Sequence, residues 1–157
     1  MSDFSGLLDA LAPVEFMLIG GVAGAIHGSI RDTRDLDIAY RRTDENIARL
    51  VSAVAPLAPY LRGAPPGLPF VFDARTVRMG LNFTLTTRLG DLDLLGEVTG
   101  GGTYDDLVAK SEEIPWAGRV IRVVDLPTLI HLKRAAGRPK DFEAIAELEI
   151  LLAKRGP

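Results

Sequence analysis

The stretch SIRDTRDLDIAY, Ser29–Tyr40, decides how the chain is read. Leu36, Ile38 and Ala39 make its second half apolar and strand-like, yet Asp35 and Asp37 stand among them. Side chains two apart on a strand share a face, so the two carboxylates lie side by side while Leu36 and Ile38 turn to the core. Carboxylates held that close repel, and one of them keeps its proton unless a cation intervenes. Magnesium suits such a pair because it takes oxygen ligands, needs few protein carboxylates and completes its shell with water and phosphate oxygens. A plainer reading stands beside this one, in which the pair ends a strand, is neutralised by Arg31 or Arg34, or caps the following segment.

The flanks favour the first reading. Upstream, Phe16–Ile19 is a compact apolar run stopped by Gly20 and Gly21, as expected of a buried strand entering a turn and then a small-residue helix. Bare glycines let a phosphate approach the main chain, and amides at a helix start attract anions; a tight turn is the alternative use of the same residues. Downstream, LNFTLTT and DLDLLGEV alternate as a hairpin turning near Gly90, with Asp91 and Asp93 set between leucines. Asp93, flanked by Leu92 and Leu94, is the better third acid, and Asp91 beside Gly90 reads as a turn residue. Three carboxylates around paired metal ions are the arrangement that serves phosphoryl and nucleotidyl transfer.

The remaining sequence supplies a scaffold. The 157 residues, 47% hydrophobic, suit one domain with one core, and the absence of cysteine leaves packing rather than disulfides to hold it. A net charge of -3 excludes a surface that grips nucleic acid over its whole extent, so any polyanion must be held locally. With only His27 and His131 as imidazoles, both expected to pack in their helices, zinc is disfavoured. The start lacks the pattern of a signal peptide and no run is long enough for a membrane span, which places the chain in the cytoplasm.

Helices are expected around Leu7–Leu11, after the caps Thr43, Thr103 and Asp125, and from Pro139, whose helix carries Phe142, Ile145, Leu148 and Leu152 on one face. LRGAPPGLP is expected as a loop, Gly100–Gly102 as a linker or lid, and EEIPWAGRVIRVVD as a hairpin turning at Ala117 and Gly118. Helices interleaved with short strands and hairpins give an α/β (α+β) domain, a short mixed sheet flanked by helices with C-terminal helices, rather than a doubly wound parallel one.

A Gly-Gly turn, a short helix, RDTRDLDI, and a third acid in DLDLLG resemble the DNA polymerase beta-like nucleotidyltransferase superfamily. Arg31, Thr33, Asp35 and Asp37 match the R-x-T-x-D-L-D signature of the abortive-infection (AbiEii-type) nucleotidyltransferases of bacterial toxin–antitoxin systems, and LIHLKRAAGRPKD is similar to their late basic segment. The resemblance runs from about Phe16 to Leu148. It implies the nucleotidyltransferase fold and transfer of a nucleoside monophosphate from a nucleoside triphosphate to an RNA or protein hydroxyl, with magnesium, or manganese in its place. It further implies that Asp35, Asp37 and Asp93 bind the metal, with Asp93 also the general base, and that Gly20, Gly21, Arg31, Thr33, Lys133 and Lys140 bind the nucleotide. Arg31 has two expected uses, contact with phosphate or bracing of Asp35 and Asp37, and the two lysines have the alternative of simply complementing helix ends. A cognate antitoxin is the implied protein partner. The competing reading is a regulatory module of the same fold that binds nucleotide or a partner without chemistry.

Overall fold

A computed structural model describes Ser2–Gly156. Among these residues a seven-stranded mixed sheet carries seven α-helices. In chain order they are α1 (Phe4–Ala10), β1 (Phe16–Ile19), α2 (Gly20–Ile26), β2 (Asp35–Tyr40), α3 (Asp44–Val54), β3 (Tyr60–Leu61), α4 (Ala74–Met79), β4 (Asn82–Thr87), β5 (Gly90–Leu95), α5 (Tyr104–Leu107), β6 (Ser111–Trp116), β7 (Arg119–Val124), α6 (Leu126–Ala136) and α7 (Pro139–Arg155). The sheet order is β3-β4-β5-β2-β1-β7-β6, with β2 parallel to β5 and β1 parallel to β7 between antiparallel neighbours. No helix among the described residues is long and apolar enough to cross a membrane.

Local chemistry sets most element boundaries. Thr43 caps α3 by accepting from the Asn46 amide, Asp44 and Glu45 stand at the positive end of that helix, and Ile47, Leu50 and Val54 bury its inner face. Thr103 and Asp106 cap α5 reciprocally, and Asp125 accepts from the Thr128 amide at the start of α6. The β6–β7 hairpin turns through Ala117 and Gly118, both at positive φ (51° and 80°), the geometry whose twist matches the flanking strands. In the central strands Met17, Leu18, Leu36, Ile38, Leu92 and Leu94 are fully buried and form the middle of the core.

Four expectations are corrected. Leu61 is not loop but the second residue of β3, because Tyr60 and Leu61 pair with Thr86 and Leu85. Asp91 is not a turn residue: it lies within β5, opposite Asp35. Phe142 is 60% exposed, and the buried side of α7 is formed by Asp141, Ala144, Ile145 and Leu148, because Asp141 turns inward to meet basic partners. His131 is exposed, with Nε2 3.0 Å from the Gly100 carbonyl oxygen, which ties the glycine loop to α6. His27 does pack inside, its Nε2 2.8 Å from the Val124 carbonyl, while Arg155 donates to its Nδ1 at 3.1 Å and so fixes the end of α7 to β7.

Asn46 joins three elements. Its side chain, itself fully buried, accepts from the Glu15 amide at 2.7 Å and donates to the Glu15 and Arg41 carbonyls at 2.9 and 2.8 Å. Asn46→Ala leaves the Glu15 amide and the Arg41 carbonyl without this partner, while the Glu15 carbonyl keeps the Arg41 amide at 3.2 Å, and the expected loss in urea unfolding is roughly 3 kcal/mol, at 1–3 kcal/mol for each stranded polar group.

Candidate functional site

The site begins with strand register. Parallel pairing sets Asp35 opposite Asp91 and Asp37 opposite Asp93, while antiparallel pairing sets Ile19, the last residue of β1, opposite Asp37. The carboxylates therefore line up across two strands just where β1 turns into Gly20 and Gly21. One oxygen from each of Asp35, Asp37 and Asp93 lies within 4.8 Å of the others. The alternation that turns these acids to the cleft turns Leu36, Ile38, Leu92 and Leu94 to the core.

The two glycines make room for polar side chains. Gly20 has φ +70°, and a Cβ there would stand 2.0 Å from Asp37 Oδ2. A Cβ on Gly21 would stand 2.5 Å from Thr33 Oγ1. Thr33 in turn donates to the Asp35 carbonyl at 3.3 Å, which seats the start of β2 against the turn. The loop before β2 is strapped to α7: Ser29 donates to Glu147 Oε1 at 2.5 Å, the Ile30 amide to Glu147 Oε2 at 3.2 Å, and Arg31 to Glu143 at 3.2 Å. Arg31 thus braces the loop to α7 rather than to Asp35 and Asp37.

All the residues singled out in the sequence line one cavity of about 370 Å³: Gly20, Gly21, Arg31, Thr33, Asp35, Asp37, Asp93, Lys133 and Lys140. Lys133 is drawn inside, its side chain 14% exposed and its Nζ 4.0 Å from Asp141, whereas Lys140 lies on the exposed rim. A second cavity of about 350 Å³ shares Gly20, Asp37, Asp93 and Lys133 with the first but is walled by apolar Leu95, Val98, Leu129 and Leu132. The acids therefore stand between a polar space rimmed by Arg31, Arg34, Arg138 and Lys140 and a largely apolar one.

Three participants were not chosen from the sequence. Asp141 is buried and accepts from the Arg138 guanidinium at 2.8 Å and 3.3 Å, so it holds Arg138 and Lys133 at the cavity. Its carboxyl is held below the usual range by Arg138 and Lys133 against the opposing effect of burial. Both belong to the GRPKD segment, where an aspartate two residues after the helix-opening proline was the available signal. Arg62 follows β3 and places its guanidinium 2.6 Å from Asp93, 3.4 Å from Asp91 and 3.8 Å from Asp35. It lies in a proline- and glycine-rich stretch with no local mark of such a role.

Asp37 receives no such neutralisation. Its Oδ1 is buried without a hydrogen-bond partner. Burial first, then the charge of Asp93 and a hydrogen bond with it, then the charge of Asp35, push its carboxyl up to about 8, against a smaller opposing pull from Lys133. Burial likewise pushes the Lys133 ammonium down. A buried, unpaired carboxylate oxygen beside two further carboxylates is a donor set that fits a divalent, oxygen-seeking ion.

Compared with known proteins, the chain matches no protein-family model and no curated protein.

The Asp37 carboxyl keeps its proton in the folded protein between 3.8 and about 8, where the unfolded chain releases it. The folded state then binds more protons than the unfolded one, so this group makes the metal-free protein lose stability as pH rises through that window. Asp37→Asn is expected to flatten the fall in urea midpoint between about pH 5 and about pH 8.5; equal slopes in both proteins would show that the proton is held elsewhere. Magnesium is expected to raise the Tm of the wild type at alkaline pH, and Gly20→Ala, which forces the Asp37 carboxylate aside, is expected to abolish that rise.

Proposed function

We propose that this protein is a magnesium-dependent nucleotidyltransferase that moves a nucleoside monophosphate from a nucleoside triphosphate to an acceptor hydroxyl. The observation that carries the reading is the gathering of Asp35, Asp37 and Asp93 within 4.8 Å, with a buried unpartnered Asp37 oxygen, at the wall of a cavity rimmed by basic side chains. The order of the motifs along the chain supports it, since the Gly-Gly turn, R-x-T-x-D-L-D, the third acid and the late basic segment all resemble the nucleotidyltransferases and all converge on that cavity.

In this reading Asp35, Asp37 and Asp93 would hold the ion, which when bound would supply positive charge to the phosphate oxygens and lower the pKa of the attacking hydroxyl. The triphosphate lies in the polar cavity, where Lys133, Arg138, Arg31 and Lys140 offset its charge. Asp141 keeps Lys133 and Arg138 aimed at it. Gly20 and Gly21 keep the floor of the cavity free of side chains, so a phosphate can come close to the main chain. Asp93 accepts the acceptor's proton through the carboxylate oxygen that Arg62 leaves free, as the acceptor oxygen bonds to the α-phosphorus and pyrophosphate departs. The apolar cavity on the far side of Asp37 and Asp93 gives the acceptor its approach. The same resemblance proposes an RNA or protein hydroxyl as acceptor and a cognate antitoxin as partner.

Purified protein incubated with α-labelled nucleoside triphosphates, magnesium and cellular RNA or protein is expected to transfer label. Asp35→Asn and Asp37→Asn are expected to lower transfer by roughly a hundredfold or more, several kcal/mol of barrier being the scale of metal-borne charge stabilisation. Label transfer that survives both substitutions would refute the assignment, and nucleotide binding without transfer would favour a regulatory module of the same fold.

A further inference from the structure

Arg62 is placed by contacts that do not involve the acids. Its amide donates to the Thr84 carbonyl at 2.9 Å, continuing the β3–β4 pairing, and its Nη2 donates to the Leu85 carbonyl at 2.8 Å. Only a quarter of its side chain is exposed (25%). From that seat the guanidinium reaches three carboxylates, with Nη2 2.6 Å from Asp93 Oδ1, Nε 3.4 Å from Asp91 Oδ2 and Nη1 3.8 Å from Asp35 Oδ2. It does not reach Asp37, whose Oδ1 stays buried and unpaired.

Ions of a two-metal centre sit about 3.5–4 Å apart and share bridging carboxylates. Here Asp93 Oδ1 and Asp35 Oδ2 face a fixed guanidinium, which takes one oxygen of each carboxylate away from any bridge to a second ion. The charges agree. With Asp37 ionised, as an ion bound to it requires, Asp35, Asp37, Asp91 and Asp93 set against Arg62 and Lys133 leave a surplus of two negative charges, with Arg138 matching Asp141. One divalent ion balances that surplus, whereas two would overshoot it before any phosphate arrived.

Resting on the nucleotidyltransferase reading above, we propose that Arg62 is a built-in cation of the acidic centre, standing where a second divalent ion would bind, so that the centre takes one divalent ion per chain. Arg62 is a positioning residue in this scheme: it fixes the Asp93 carboxylate and limits the metal count, and the single ion is held by Asp37 together with one oxygen each of Asp35 and Asp93.

The count is read directly by titrating the protein with manganese in the presence of a non-hydrolysable α,β-methylene nucleoside triphosphate. With the nucleotide kept below the protein concentration so that all of it is bound, the disappearance of the free-ion electron paramagnetic resonance signal measures the total number of ions per occupied chain, the nucleotide's own ion included. The wild type is expected to bind one ion and Arg62→Gln two, the second with a spin-coupled spectrum that signals neighbouring ions. Arg62→Lys, which keeps the charge and checks folding, is expected to remain at one. Two ions in the wild type would overturn the inference and leave nucleotidyl transfer standing, as would a count of one in a folded Arg62→Gln protein. No ion in the wild type would overturn both.

Discussion

Parallel pairing of β2 with β5 forces like charges together. Asp35 and Asp37 share a strand face by the two-residue period of extended chain, and the register sets Asp91 and Asp93 directly beside them. Like charges facing each other across strands are destabilising, and these lie where water is only partly able to screen them. The rest of the cleft follows as compensation: Arg62 covers Asp93, Asp91 and Asp35, Asp37 retains a proton, and Lys133 stands behind it. Such an arrangement costs stability in the metal-free protein, and under the proposed function a cation and a polyanionic ligand would offset that cost.

The surrounding packing keeps this group of charges from relaxing apart. Behind the acids, Leu36, Ile38, Leu92 and Leu94 are fully buried, so neither strand can slide without exposing its leucines. Gly20 closes the other side, its main chain lying where only a residue without Cβ admits the Asp37 carboxylate. On α7, Glu143 and Glu147 hold the loop before β2, and Asp141 holds Arg138 and Lys133. The two walls of the cleft are therefore tied to one another through helix α7, which is itself pinned to β7 by Arg155 and His27.

Glycine at the turn carries a physical meaning the motif alone leaves open. Gly20 and Gly21 line the cavity, and the immediate steric demand on each comes from within the protein, from Asp37 and Thr33. The same two residues thus serve the assembly of the acidic centre before they serve any ligand. Thr33, one of the signature residues, acts through this contact and through its bond to the Asp35 carbonyl.

Much of the scaffold was legible along the chain, because caps, turns and strand alternation depend on residues within a few positions of each other. The Thr43, Thr103 and Asp125 caps, the Ala117-Gly118 turn and the facing of Asp35 and Asp37 away from Leu36 and Ile38 all follow from local backbone periods. The tertiary structure alone decided what lies opposite those acids. Asp91 became a strand residue by pairing with Thr86 of β4 on one side and Asp35 of β2 on the other, Arg62 reached the centre only because a two-residue strand pairs with β4, and Asp141 displaced Phe142 from the inner face of α7 by finding Arg138 and Lys133. The reason is one of range: a side chain's facing is set by the geometry of its own segment, while its ionic partners are set by which distant segments pair and in what register, and no local window of sequence contains that choice.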